Sequence, residues 1–111
     1  MPDKTVRSIV RKFLAEVQQA GIPVFAGVLY GSYARGGAHR NSDIDLLVIS
    51  SRPVASRASH DTDLLWQLRA RVDYRIEPLL VDRQRWKHDD GSPILATIRQ
   101  EGYLISPVRG A

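Results

Sequence analysis

The sequence predicts a mixed α and β fold, an α+β arrangement in which a mixed β-sheet is flanked by helices in the order αββαβα. Three observations carry this: a helical-period apolar stripe opens the chain, two short apolar runs follow with a Gly-rich polar stretch between them, and a second helical stripe precedes a third apolar run. With 111 residues, 43% hydrophobic and 25% charged, the chain is sized and composed for one folded domain over residues 1–111.

Each element has its own signal. Val6, Ile9, Val10, Phe13, Leu14 and Val17 recur at helical spacing, and the pattern stops at Gly21 with Pro23 beyond it. Residues 24–30, Val-Phe-Ala-Gly-Val-Leu-Tyr, read as a buried strand ending on the turn pair Gly31-Ser32. Residues 33–42 are rich in Gly and polar groups and can hold at most a short helical turn and a loop. A second strand follows, with Ile44 and residues 46–49 as its apolar body and Asp43 and Asp45 set into its start.

Ser50 to His60 reads as an exposed loop, after which Asp61 caps a helix carrying Leu64, Leu65, Leu68 and Val72. Residues 72–81 form a third strand, in which Pro78 requires a sheet edge, a bulge or a strand end. Asp82 to Gly91 is polar, with Trp86 as its one anchor. Ser92-Pro93 makes an N-cap and first-turn pair for a last helix with Leu95 and Ile98, closed near Gly102.

Composition excludes several chemistries. The chain has no cysteine, so disulfides, thiolate metal sites and cysteine nucleophiles are ruled out, and any metal sits on oxygen or imidazole. His39, His60 and His88 have no second ligand at metal spacing and read as solvated. The opening residues 1–4 lack the apolar run of a signal peptide, and no stretch approaches the roughly 18–20 apolar residues that span a bilayer. A cytoplasmic protein without membrane contact is expected.

The net charge of +4 favours polyphosphates or an acidic partner. The basic residues are scattered without interleaved aromatics, which argues against nucleic acid. Trp66 and Trp86 read as core or interface anchors. At least one of Tyr30 and Tyr33 is expected to pack against the first helix. A homo-oligomer is left open.

The chemistry concentrates between Leu29 and Val48. Residues two apart on a strand project to one side, so Asp43 and Asp45 share a face. Two carboxylates so placed repel unless a cation lies between them, and Mg²⁺, held by one or two carboxylates together with substrate phosphates, suits the pair. Two such ions can clamp the attacking and leaving oxygens of a phosphoryl displacement, an arrangement that asks for a third carboxylate. Glu77, inside the third apolar run, is the favoured candidate, and Asp73 at its mouth is the alternative. Gly31 lets the backbone approach a ligand closely, the Ser32 hydroxyl can donate to phosphate oxygens, and Arg35 can meet a phosphate with two bonds.

Gly31-Ser32, ten residues, then Asp43-Ile44-Asp45 resembles the signature of the minimal nucleotidyltransferases of the DNA polymerase β-like superfamily. Four fixed positions at that spacing arise by chance in about one chain in a thousand of this length, so the match carries weight. The surrounding Gly-Ser-Tyr-Ala-Arg-Gly and Ser-Asp-Ile-Asp-Leu-Leu-Val text is also similar to the bacterial members, and the likeness covers about the first 80 residues.

The resemblance implies the nucleotidyltransferase fold, ATP as substrate and two Mg²⁺ ions. Ser32 and Arg35 would contact the triphosphate, Asp43 and Asp45 would bind metal, and Glu77 would complete the metal site and help deprotonate the acceptor hydroxyl. The family more often has Asp at that third position. Only about thirty residues follow the third strand, so the acceptor is expected to come from elsewhere. Small members of this kind resemble antitoxins that adenylylate a tyrosine of a helical HEPN toxin. The alternatives are an antitoxin that acts by binding alone, and a small-molecule, aminoglycoside-type transferase completed by a partner subunit.

Overall fold

The computed structural model describes residues 3–54 and 58–107. Its elements are α1 (Lys4–Gln19), β1 (Val24–Tyr30), α2 (Ser32–Arg35), β2 (Ile44–Ser50), α3 (Ala58–Leu68), a 3₁₀ turn (Arg69–Arg71), β3 (Ile76–Asp82), α4 (Arg83–His88), α5 (Pro93–Glu101) and β4 (Tyr103–Ile105). Asp3 starts α1 by accepting the Val6 N–H at 2.9 Å, satisfying one of the donors that a helix start leaves free. The stripe Val6, Val10, Phe13, Leu14 and Val17 is buried.

The strands form one sheet in the order β3-β2-β1-β4. β1 runs antiparallel to both β2 and β4, whereas β2 and β3 are parallel. A parallel pair needs a long crossover, and the segment containing α3 supplies it. Ile44, Leu46 and Val48 of β2 pack with α1 and α3 in one core, while Leu47 and Ile49 pack with Val28, Val81, Leu95 and Ile98 in a second core under α5. β2 is therefore apolar on both faces, which is why its sequence runs without alternation. Pro78 lies in β3, an edge strand, where its missing N–H costs no ladder bond on the open side.

The sequence expectations hold for this mixed architecture and need correction in detail. β3 begins at Ile76, because residues 69–71 form a 3₁₀ turn and Asp73 lies in the bend that follows it. Asp73 and Glu77 thus do not share a regular strand. Asp61 is the fourth residue of α3, buried there and not a cap, and Val72 lies beyond that helix. Ser50 closes β2 as a buried residue, residues 58–60 already belong to α3, and residues 55–57 of the expected loop lie outside the described ones. Asp43 precedes β2 by one residue.

Two short elements arise where no sequence signal marked one. α4 follows β3 directly because Asp82 accepts the Arg85 N–H at 2.8 Å. β4 adds a fourth strand after α5, pairing Tyr103–Ile105 with residues 27–29 of β1. α5 starts as expected, with Ser92 accepting the Leu95 N–H at 3.3 Å. Among the described residues no helix is long and apolar enough to cross a membrane.

Candidate active site

Tyr30, Asp45 and Glu77 stand side by side on three neighbouring strands. Tyr30 pairs with Asp45 across the antiparallel β1–β2 ladder, and Asp45 pairs with Glu77 across the parallel β2–β3 ladder. Directly paired residues project to one side of a sheet, here the side on which Leu47 and Val81 bury the second core. The row continues that apolar surface to the end of the sheet, where Asp43 enters from the loop before β2.

Burial comes first among the causes that raise the Asp45 carboxyl above the usual aspartate range, followed by repulsion from Glu77 and Asp43. Arg35 opposes this, and Glu101 adds to it. A cation brought to Asp45 would remove the electrostatic part of that penalty. Burial, then Asp45 and Glu77, push the Tyr30 phenol up to about 12. Tyr30 therefore stays protonated at neutral pH and offers a hydroxyl to the site.

Gly31 fixes the position of this acidic row. It has φ +74°, a left-handed conformation that side chains other than glycine's rarely adopt, and a Cβ built there would overlap the Asp45 Oδ2. A glycine is needed twice over, for the turn and for the carboxylate beside it. Ser32, half-buried, begins α2, and Arg35 ends it with an exposed guanidinium. Tyr30, Gly31, Arg35, Asp45, Ile98 and Glu101 border an open groove of about 470 Å³. Ser32, Asp43 and Glu77 do not line that groove.

The two candidates for a third carboxylate sit in different surroundings. Asp73 is held in a fork by Arg75, with Nε to Oδ1 at 3.0 Å and Nη2 to Oδ2 at 2.8 Å, and it also accepts the Arg75 backbone N–H. The Arg75 hydrogen bonds hold the Asp73 carboxyl below the usual aspartate range. Glu77 faces Asp45 in register. Among the described residues no three acidic or histidine side chains converge closely enough to hold a metal ion unaided. Asp43 and Asp45 nevertheless fit Mg²⁺ chemically, since the ion takes one or two carboxylates and fills its octahedron with water and substrate phosphate.

Two residues of the site were not legible in the sequence. Arg75 donates through Nη1 to the Tyr33 hydroxyl at 2.9 Å and the Arg40 carbonyl at 2.8 Å, tying the loop after α2 to the start of β3. Tyr33 packs against the α1 core and Tyr30 against the second core. Glu101, seventy residues from Gly31 in sequence, accepts the Gly31 N–H at 3.3 Å and pairs with Arg35 at 3.3 Å. An Arg two places before Glu77 was a faint signal for the first; the second had none. His39 is exposed in its loop.

A sheet end carrying carboxylates beneath a glycine turn, with a guanidinium beside it, suits the handling of phosphate groups, and the family to which the chain belongs is one of group-transferring enzymes acting on nucleotides. The chain belongs to the nucleotidyltransferase domain family, whose model matches residues 10–92. A curated relative from Methanocaldococcus jannaschii, provisionally named a protein adenylyltransferase, is 31% identical over 109 residues, which span 95% of this chain and 74% of that protein.

Among solved structures, a protein of Sulfolobus solfataricus provisionally described as a nucleotidyltransferase has a TM-score of 0.59 at 17% identity, covering 88% of this chain and 77% of that one. A chain from the complex of tri-AMPylated Shewanella oneidensis HEPN toxin with MNT antitoxin has a TM-score of 0.54 at 19% identity, covering 93% and 74%. At these identities the two structures show a common fold.

Proposed function

We propose that this nucleotidyltransferase is a Mg²⁺-dependent protein adenylyltransferase, moving AMP from ATP to a tyrosine hydroxyl of a partner HEPN toxin and so acting as an antitoxin. The observation that carries the catalytic part is the in-register pair Asp45 and Glu77 beside Asp43, under a glycine whose Cβ would overlap Asp45. The choice of a protein acceptor is supported by the name of the Methanocaldococcus relative, and the choice of partner by the AMPylated toxin in the Shewanella complex.

In this reading Mg²⁺ held by Asp43 and Asp45 supplies charge neutralisation for the triphosphate. Ser32 and Arg35 hold phosphate oxygens and keep the α-phosphate in line with the acceptor. Glu77 takes the proton of the acceptor hydroxyl as the new bond from that oxygen to the α-phosphorus forms. The bond from the α-phosphorus to the oxygen bridging the β-phosphate breaks, and pyrophosphate leaves. ATP and Mg²⁺ are abundant in the cytoplasm, which is where we place the reaction.

The test combines the chain with Mg²⁺, α-labelled ATP and a candidate HEPN-type partner protein. Label is expected on a tyrosine of that protein, with Asp43→Ala reducing it at least about a hundredfold. Equal labelling by wild type and Asp43→Ala rules the enzymatic reading out.

A further inference from the structure

Glu101 makes one contact with each of two donors beside the acidic row. Its Oε1 accepts the Gly31 N–H at 3.3 Å and the Arg35 Nη1 at 3.3 Å. The carboxylate is placed there by backbone on both sides. Glu101 is the last residue of α5, and the Gly102 N–H closes that helix on the Ile98 carbonyl at 2.8 Å. A Cβ at Gly102 would overlap Val28 and the Ile98 carbonyl, so α5 ends directly against β1. From there β4 pairs with β1 and pins the segment.

The position is otherwise a poor one for a carboxylate. Asp45 lines the same groove, so Glu101 brings a second carboxylate to it. What Glu101 gains is an amide and a guanidinium, the kind of donor pair that binds a phosphate oxygen. We propose that the Glu101 carboxylate occupies the place of a phosphate oxygen on Gly31 and Arg35, and that an incoming triphosphate must displace it. This rests on reading Arg35 and the Gly31 turn as triphosphate donors.

Both contacts are long, and the Arg35 side chain is 60% exposed. The pair is weak and readily exchanged for a ligand with more negative charge. Glu101 lies beyond the residues 10–92 matched by the family model, so the device belongs to the α5–β4 end of this chain. Its effect is to hold the turn in its binding shape while lowering affinity for anions too weakly charged to compete.

The test measures binding of inorganic tripolyphosphate with Mg²⁺ by calorimetry, using the whole chain as wild type, Glu101→Gln, Glu101→Asp, Arg35→Ala and the Arg35→Ala/Glu101→Gln pair. Thermal unfolding checks that each is folded. Glu101→Gln is expected to bind about three- to tenfold more tightly. Glu101→Asp keeps the charge but is one methylene too short to reach both donors, so it should bind more tightly as well. The gain should shrink in the Arg35→Ala background, where only the Gly31 N–H is left to be freed.

Wild-type affinity in Glu101→Asp would reduce the effect to net charge and overturn the proposal. So would weaker binding by Glu101→Gln, or binding that depends on Arg35 and ignores Glu101. The last result leaves the triphosphate reading standing, whereas no binding by any variant removes both.

Discussion

Gly31 and Asp45 occupy one space: the place where any other residue at 31 would put its Cβ already holds the Asp45 carboxylate. Gly31→Ala therefore combines a positive-φ strain with a displaced carboxylate. It is expected to lower stability by about 2 kcal/mol and to cut nucleotidyl transfer at least about a hundredfold. Unfolding midpoints and transfer rates measured on the same preparation check both, and a stable, active Gly31→Ala protein would refute the close fit.

Asp45 carries a charge that folding makes costly. Its folded-state value lies above the unfolded one, because of burial first and Glu77 and Asp43 second. Its contribution is thus most favourable below the ordinary aspartate value of about 3.9, and it declines as pH rises through the raised folded value. Asp45→Asn is expected to raise the neutral-pH melting temperature by about 2–5 °C, to lose that advantage near pH 3, and to be inactive. Added Mg²⁺ should stabilise wild type and leave Asp45→Asn unmoved. A destabilised Asp45→Asn at pH 7 would contradict this account.

These positions show what a single sequence can carry. The Gly31-Ser32 turn and Asp43-Ile44-Asp45 were readable because strand alternation and chain spacing are local facts. The apolar run of β2 proves to belong to a strand covered on both faces, and of the three places open to Pro78, sheet edge, bulge or strand end, the structure gives it the edge. What stayed hidden depends on tertiary partners. Glu77 was favoured over Asp73 only by its place inside the apolar run; the 3₁₀ turn that keeps Asp73 out of the strand and the Arg75 that holds it are tertiary facts. β4 is three residues long, too short for any periodicity, and exists because β1 offers it an edge. Glu101 meets Gly31 only through that closure.

The different surroundings of Glu77 and Asp73 separate their roles. Glu77 faces Asp45 in register and is expected to be needed for transfer, so Glu77→Gln should lose about a hundredfold or more in kcat with a smaller change in nucleotide KM. Asp73→Asn, in the segment before β3 and held by Arg75, should keep kcat within about threefold on properly folded protein. Steady-state kinetics on the two variants decide the matter, and the reverse ranking would make Asp73 the third carboxylate.

Asp73 instead predicts a stability effect with the opposite pH sense to Asp45. Arg75 lowers its folded value below the unfolded one, so the stabilisation is full above about pH 3.9 and is lost as pH falls through the lowered value. Arg75→Lys tests the same unit from the other side. A lysine cannot hold the Asp73 fork, the Tyr33 hydroxyl and the Arg40 carbonyl together. It should cost about 1–3 kcal/mol at pH 7 and free the loop that leads to Asp43, raising nucleotide KM more than it lowers kcat. Denaturant unfolding at pH 7 and pH 3 should show the gap between Asp73→Asn and wild type narrowing in acid. A gap that stays constant would mean the fork stabilises by packing and not by charge.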